Sequence, residues 1–222
     1  MLNKLKPTIG IIDSGIGGVS ILNQLISRFH AGNYIYFADN LYMPYGNKPK
    51  TALKERLLDI IKVLNNHNVD FIIIACNTAS SVLNNIGIPN VLLMKFNKDD
   101  IYLATPLTKK SLPYCNVIAD CSLAKQVEDY IFNEKALSKV VHEHVKKYKL
   151  NKLKNYTLAC THYELVENLF KKYCPNSKIF CNSRQIVNEI NLDFQQTDTT
   201  VHIILSKPDF SYYQKLKTLI RI

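Results

Sequence analysis

The chain has 222 residues, of which 47% are apolar and 21% are charged, and its 28 lysines and arginines against 18 acidic residues give a net charge of +10. This composition is typical of a globular protein, and it excludes a disordered chain, a collagen and a low-complexity filament. A positive chain can meet nucleic acid or attract an anionic substrate. No helix-turn-helix, zinc-finger or ribonucleoprotein motif accompanies the charge, so we do not expect nucleic acid as a partner.

No run of about 18 apolar residues is present, so the sequence predicts neither a membrane span nor a membrane partner. The longest apolar stretch near the N-terminus is residues 9–12, which is too short for the core of a signal peptide. We therefore expect a cytoplasmic protein whose six cysteines are free thiols. There is no C-x-x-C pair, and residues 142–144 lack the spacing of a zinc-protease helix, so no metal is expected.

Strands and helices alternate along the first half. The apolar patterns predict strands at 8–12, 34–37 and 71–75 and helices at 19–29 and 51–65, with a glycine-rich turn at 13–18 and a loop at 39–49. The stretch 71–75 is apolar throughout, which is typical of a strand buried on both faces of a parallel sheet. This order favours a doubly wound α/β sheet.

The second half repeats the alternation. Its patterns predict strands at 101–104, 116–119, 156–159, 178–180 and 201–205, and helices at 122–132, 138–148, 164–173 and 212–220. We therefore predict an α/β fold of two lobes with mainly parallel sheets, related by a pseudo-twofold axis. One lobe is expected to comprise residues 1–94 plus 181–222, and the other residues 95–180.

Two similar segments, each with a cysteine, indicate where the functional site lies. Cys76-Asn77-Thr78 and Cys160-Thr161-His162 each follow an apolar strand and precede a helix. Because ligands of such sheets bind at the carboxyl ends of the strands, we expect each lobe to offer one cysteine to a shared cleft between them.

A cysteine at a helix N-terminus lies in the positive end of the helix dipole, which favours its thiolate. Two thiols on opposite faces of a substrate carbon suggest racemisation, in which one removes the α-proton and the other returns a proton. Asn77, Thr78 and Thr161 are placed to hold a carboxylate, and His162 to relay a proton. The alternative is that these cysteines are small buried hydrophobic residues, which is our prediction for Cys115, Cys121, Cys174 and Cys181.

Four blocks in the chain are characteristic as a set. They are residues 11–18 (IIDSGIGG), 43–46 (MPYG), 75–80 (ACNTAS) and 160–163 (CTHY). In sequence and order they resemble glutamate racemase, of the cofactor-independent aspartate/glutamate racemase superfamily. Two weaker matches are residues 104–111 and the pair Val127-Glu128, which falls where the family has a Val-Glu pair near its active site.

The resemblance implies two α/β lobes with the substrate, glutamate, held between them, and neither pyridoxal phosphate nor a metal as cofactor. It implies that Cys76 and Cys160 are the acid/base pair, assisted by Asp13 and His162, and that D-glutamate is made for peptidoglycan. A homodimer is a further expectation. The residues that it places at the substrate are Asp13, Ser14, Pro44, Tyr45, Gly46, Cys76, Asn77, Thr78, Thr105, Thr108, Cys160, Thr161 and His162.

The chain departs from the family pattern at four positions. Asn182 precedes Ser183 where an aspartate is usual, Glu164 replaces a proline, Asp120 stands where a small residue is expected, and Ala104 replaces a glycine. Glutamate rather than aspartate as substrate depends on the resemblance alone. The alternatives are therefore a racemase of aspartate or a related amino acid, and a degenerate racemase fold that binds an acidic ligand without turnover.

Overall fold

Two parallel β-sheets organise the chain in this computed structural model, which describes residues 7–84, 86–191 and 198–222. The strands are β1 (Thr8–Asp13), β2 (Gly32–Ala38), β3 (Phe71–Ile74), β4 (Val91–Leu93), β5 (Ile101–Ala104), β6 (Asn116–Ala119), β7 (Asn155–Leu158), β8 (Lys178–Cys181) and β9 (Thr199–Leu205). The helices are α1 (Val19–Phe29), α2 (Lys50–Asn66), α3 (Asn77–Leu83), α4 (Pro106–Ser111), α5 (Leu123–Tyr130), α6 (Glu134–Tyr148), α7 (Thr161–Leu165), α8 (Glu167–Tyr173), α9 (Asn182–Glu189) and α10 (Phe210–Leu219).

The first sheet has the strand order β4-β3-β1-β2-β9, and all its strands are parallel. Successive side chains of a strand point to opposite faces. Ile9 and Ile11 of β1 accordingly enter one apolar core with α1, whereas Ile12 enters a second core with α2. The apolar residues of these strands thus pack into cores on both faces of the sheet, as expected for a sheet with helices on either side.

The second sheet has the order β6-β5-β7-β8 and is also parallel. Leu103 and Leu158 pack on one of its faces against apolar residues of α5, α6 and α8. The chain then returns to the first lobe through α9, whose Ile186 and Val187 join the core formed with α1. Sheet membership therefore changes between Leu93 and Ile101 and again between Cys181 and Thr199. The boundaries at 94 and 181 stay a prediction.

The predicted α/β class with two parallel sheets is confirmed. The predicted helix 164–173 is helical but divided in two, because Val166 has φ −116° and ψ 24° and separates α7 from α8. Strand β4 and helices α4 and α9 were not predicted: β4 has only three residues, α4 has six, and α9 is mostly polar.

The buried, structural role predicted for four cysteines is correct for Cys174 and Cys181 and wrong for Cys115 and Cys121. Cys115 is half-buried and Cys121 is exposed, because both lie in the connections flanking the short strand β6 rather than in a core. All six cysteines are free. Within the described ranges, no helix is both long enough and apolar enough to cross a membrane.

Candidate active site

The carboxyl ends of strands from both sheets meet at one narrow cleft. The first lobe contributes residues that follow β1, β2 and β3, and the second lobe contributes residues that follow β5, β6 and β7. The cleft is lined by Ser14, Pro44, Tyr45, Gly46, Asn47, Cys76, Asn77, Thr78, Thr105, Asp120, Cys121, Ala124, Cys160, Thr161 and His162.

Eleven of the thirteen predicted substrate residues thus line the cleft, and the other two, Asp13 and Thr108, lie directly behind it. Sequence reasoning missed Asn47 and the segment from Asp120 to Ala124. That segment follows strand β6, so the rule that placed the two cysteines at strand ends could have identified it.

Each lobe contributes one thiol. Cys76 precedes α3 and Cys160 precedes α7, and both are almost fully buried, with 6% and 7% of their surface exposed. Burial raises the pKa of the Cys76 thiol, and the nearby Asp13 carboxylate raises it further. The backbone N–H groups of Ala79 and Thr78 oppose this by donating to the sulfur. In the free protein the Cys76 thiol is therefore protonated.

Asp13 connects the two lobes. Its Oδ2 accepts the backbone N–H of Gly15 at 3.0 Å, and its Oδ1 accepts the hydroxyl of Thr161, from the other lobe, at 3.1 Å. Complete burial raises the pKa of Asp13, and the charge of His162 opposes that effect. The carboxyl group is thus held behind Cys76 in a fixed orientation.

His162 forms an ion pair with Glu128 beside the second thiol. The distance from His162 Nε2 to Glu128 Oε2 is 2.6 Å, and both side chains are buried. Burial alone would lower the pKa of His162, but its hydrogen bonds to Cys160 and to Glu128 raise that pKa well above its usual range. The imidazole is therefore protonated and able to exchange a proton with the Cys160 sulfur. The sequence indicated Glu128 as a site residue, since the pair Val127-Glu128 is one of the two weaker matches to the family pattern.

Hydroxyl and amide groups form the remaining polar wall. The Thr78 and Thr105 hydroxyls, from different lobes, are 2.9 Å apart, and Thr108 lies 3.0 Å from Thr105. Asn182 Nδ2 donates to Asn77 Oδ1 at 2.7 Å. These groups are neutral donors of the kind that hold a carboxylate without adding a counter-charge.

Two glycines allow the lobes to approach closely. A Cβ at Gly17 would lie 2.3 Å from Thr161 Oγ1, and one at Gly46 would lie 2.6 Å from the Cβ of Thr105. Neither distance is possible for real atoms without movement of the opposite lobe. The loop that carries Gly46 is anchored by Tyr45, which donates to the carboxylate of Asp39 at 2.7 Å.

Two parallel α/β lobes share one cleft, and each contributes one thiol to it. The protein is an amino-acid racemase, which is an isomerase. No protein-family model matches the chain. It is 30% identical to a glutamate racemase of Sulfurihydrogenibium sp., and the alignment covers 96% of this chain and 93% of that one. The chain therefore belongs to the glutamate racemase family.

Solved structures show the same architecture. A glutamate racemase of Campylobacter jejuni superposes with a TM-score of 0.79 at 25% identity, covering 96% of this chain and 98% of that one. A glutamate racemase of Francisella tularensis, solved in complex with D-glutamate, superposes with a TM-score of 0.74 at 21% identity, covering 98% and 94%. Among the residues that the structure describes, no group of three or more His, Cys, Asp or Glu side chains is placed to hold a metal ion.

Proposed function

We propose that this protein interconverts L- and D-glutamate without a cofactor, by α-proton transfer between Cys76 and Cys160. The observation that carries the proposal is that each lobe delivers one thiol, at a strand end, to the same cleft. The relatives described above are glutamate racemases, and one of them was solved with D-glutamate bound, which supports glutamate as the substrate.

The two thiols have different environments, which suits a reaction that must run in both directions. Cys76 is protonated in the free protein and has Asp13 behind it, whereas Cys160 is hydrogen-bonded to the protonated His162. One thiolate removes the α-proton from one face of the substrate, and the opposite thiol returns a proton to the other face. The two cysteines exchange roles for the other enantiomer.

The α-proton of an amino acid is very weakly acidic, so the site must stabilise the carbanion strongly. Fixed donors in a buried cleft do this more effectively than water, because they need no reorganisation as charge develops. Asn77, Thr78 and Thr161 are almost fully buried and line the cleft, so they can bind the carboxylate groups of the substrate. The protonated His162 is hydrogen-bonded to Cys160 and can therefore act as a proton donor beside that thiol.

The test is deuterium exchange at the α-carbon in heavy water. The protein is incubated separately with L-glutamate, D-glutamate, L-aspartate and D-aspartate under reducing conditions, and deuterium uptake and circular dichroism are followed. We expect exchange and racemisation with glutamate, and loss of racemisation in Cys76→Ser and in Cys160→Ser. Cys115→Ser is the matched control, because that half-buried thiol lies outside the cleft.

Other outcomes discriminate among the alternatives. Exchange with aspartate alone would keep the two-thiol mechanism and change the substrate. No exchange with any of the four amino acids, from folded protein, would overturn the proposed reaction and favour a racemase fold that binds an acidic ligand without turnover.

The biological role is part of the same proposal. We infer that the D-glutamate supplies peptidoglycan, so deletion of the gene should make growth depend on added D-glutamate. The cytoplasmic location and the homodimer stay predictions, and light scattering of the purified protein tests the homodimer.

A further inference from the structure

Helix α10 follows β9 of the first sheet, yet one of its side chains binds a helix of the second lobe. The ammonium group of Lys215 donates to the backbone carbonyl oxygen of Glu128, on α5, at 2.6 Å. It also lies 3.9 Å from Glu128 Oε1. The Lys215 side chain is 23% exposed and that of Glu128 is 3% exposed, so this contact is better shielded from water than a surface ion pair.

The hydrogen bond from Lys215 fixes the end of α5 that carries Glu128. The Glu128 carbonyl lies in the last turn of α5, where carbonyl groups have no partner within the helix. A positive side chain at this end of a helix satisfies such a carbonyl and interacts favourably with the helix dipole. Helix α5 has no basic residue in its own last turn, so Lys215 supplies that charge from another part of the chain.

The Glu128 carboxylate has one occupied oxygen and one free oxygen. Its Oε2 accepts from His162 Nε2 at 2.6 Å and from the backbone N–H of Ile16 at 3.2 Å. Its Oε1 is buried and has no hydrogen-bond partner among the residues that the structure describes. Lys215 approaches this free oxygen, so the ammonium group compensates the charge of the carboxylate without competing with His162 for Oε2.

Helix α10 also packs against the ion pair between Glu128 and His162. A Cβ at Gly15 would lie 2.7 Å from Glu128 Oε2 and 3.0 Å from the Tyr212 hydroxyl oxygen. The same Cβ would lie 3.3 Å from His162 Nε2. Three side chains therefore converge on one small space beside the Gly15 backbone. Tyr212 precedes Lys215 by three residues, so the two project from the same face of α10 toward the ion pair.

We propose that Lys215 is a positioning residue, which holds Glu128 in the orientation that binds His162 and so keeps His162 in place beside Cys160. This inference deepens the proposed function and depends on it for the reaction. Lys215 does not line the cleft, so it acts through Glu128 and not on the substrate. Proton transfer needs the donor and the acceptor at hydrogen-bond distance, so even a small displacement of the imidazole lowers the rate.

Lys215→Met tests this role, because methionine keeps most of the apolar stem and removes the ammonium group. We expect kcat to fall about tenfold while the KM for glutamate changes less, because the residues that bind the substrate carboxylates stay in place. Loss of a positive charge would by itself favour the protonated imidazole, so deprotonation of His162 does not explain this fall. Lys217→Met, at an exposed position of the same helix, is the matched control and should leave both constants unchanged.

A double-mutant cycle shows whether Lys215 acts through Glu128. When Glu128→Gln is already present, Lys215→Met should lower kcat by less than about twofold, because the ion pair that Lys215 positions is already lost. A merely structural role would give the same loss in both backgrounds. Lys215→Gln, which also lacks the charge, replaces Lys215→Met in each measurement if the methionine variant does not fold.

Proton NMR gives a readout that needs no turnover. The His162 Nε2 proton, in its charge-assisted hydrogen bond to the Glu128 carboxylate, should resonate far downfield. We expect Lys215→Met to shift this resonance toward that of a free imidazole and Lys217→Met to leave it in place.

An unchanged kcat in Lys215→Met, an unchanged His162 resonance, or equal losses in the two backgrounds of the cycle would each overturn the inference. The resonance also keeps the two proposals apart. A protein that does not racemise glutamate, but whose His162 resonance shifts in Lys215→Met, would contradict the proposed reaction and support the positioning of Glu128 by Lys215. Racemisation that Lys215→Met leaves unaffected would contradict the role of Lys215 alone, and neither racemisation nor a shift would contradict both.

Discussion

Glu164 is a buried carboxyl group that should make the stability of the protein depend on pH. Its Oε1 accepts the backbone N–H of Ser183, and its Oε2 has no hydrogen-bond partner in the part of the chain that is described. Burial raises the pKa of Glu164 from its ordinary 4.5 to about 8, and the hydrogen bonds from Ser183 oppose this only in part. At neutral pH the folded protein therefore keeps a proton here that the unfolded chain releases.

This difference in proton binding determines both the sign and the size of the effect. Below pH 4.5 both states are protonated, and Glu164 contributes its full stabilisation. Between pH 4.5 and about 8 only the unfolded chain ionises, so the free energy of unfolding falls by about 1.4 kcal/mol for each pH unit. The loss is about 3 kcal/mol at pH 7 and approaches about 5 kcal/mol above pH 8, where both states are ionised.

Glu164→Gln removes this titration and keeps an oxygen that can accept the Ser183 N–H. We expect the substitution to change the free energy of unfolding little at pH 4.5 and to raise it by about 3 to 5 kcal/mol at pH 8. Urea denaturation at several pH values, extrapolated to water, measures the difference. Glu143→Gln, on an exposed position of α6, is the control and should show the same small change at every pH. If the advantage of Glu164→Gln does not grow between pH 5 and 8, the reasoning is refuted.

Three further predictions concern the cleft and the ion pair between Arg56 and Asp39. Gly17→Ala places a Cβ 2.3 Å from Thr161 Oγ1 and should lower kcat about tenfold or more, as measured by circular dichroism of the substrate. Gly87→Ala is the control: no atom lies within 4 Å of its new Cβ, so kcat should stay unchanged. Glu128→Gln removes a carboxylate that raises the pKa of His162, so NMR titration of the His162 imidazole should show a lower pKa than in the unsubstituted protein. Arg56→Met leaves the fully buried Asp39 carboxylate without its ion-pair partner and should lower the free energy of unfolding by about 2 kcal/mol or more in urea denaturation.

Much of the fold could be predicted because it depends on local patterns. Residues 71–74 are apolar without interruption, and β3 is buried on both faces. Helix α1 begins at Val19 and ends at Phe29, as its apolar spacing predicted, and β5 covers Ile101–Ala104, also as predicted. The lining of the cleft could be predicted for a related reason. In a parallel sheet the position where a strand ends is a local property, and it decides which side chains reach the cleft.

The contacts that orient the site could not be predicted in this way, because they join residues far apart in sequence. Glu128 accepts the backbone N–H of Ile16, 112 residues away, at 3.2 Å, and Asn182 meets Asn77 across 105 residues. Asp120 directly follows β6, which has no charged residue, yet the structure pairs it with His144 of α6. Hydrogen bonds hold the pKa of Asp120 low although burial alone would raise it. Pairings of this kind follow from how two helices pack on a sheet, which spacing along the chain does not specify.

The interface between the lobes explains why both are needed for one site. At the cleft it is made of short polar contacts, which join Asp13 to Thr161, Thr78 to Thr105 and Ile16 to Glu128. Polar contacts of this kind add little net stability. The strength of each hydrogen bond nevertheless depends on its length within a few tenths of an ångström and on its angle. Since each lobe carries one of the two thiols, the same contacts set the distance between them. A change at this interface, such as Gly17→Ala, should therefore affect turnover more than unfolding.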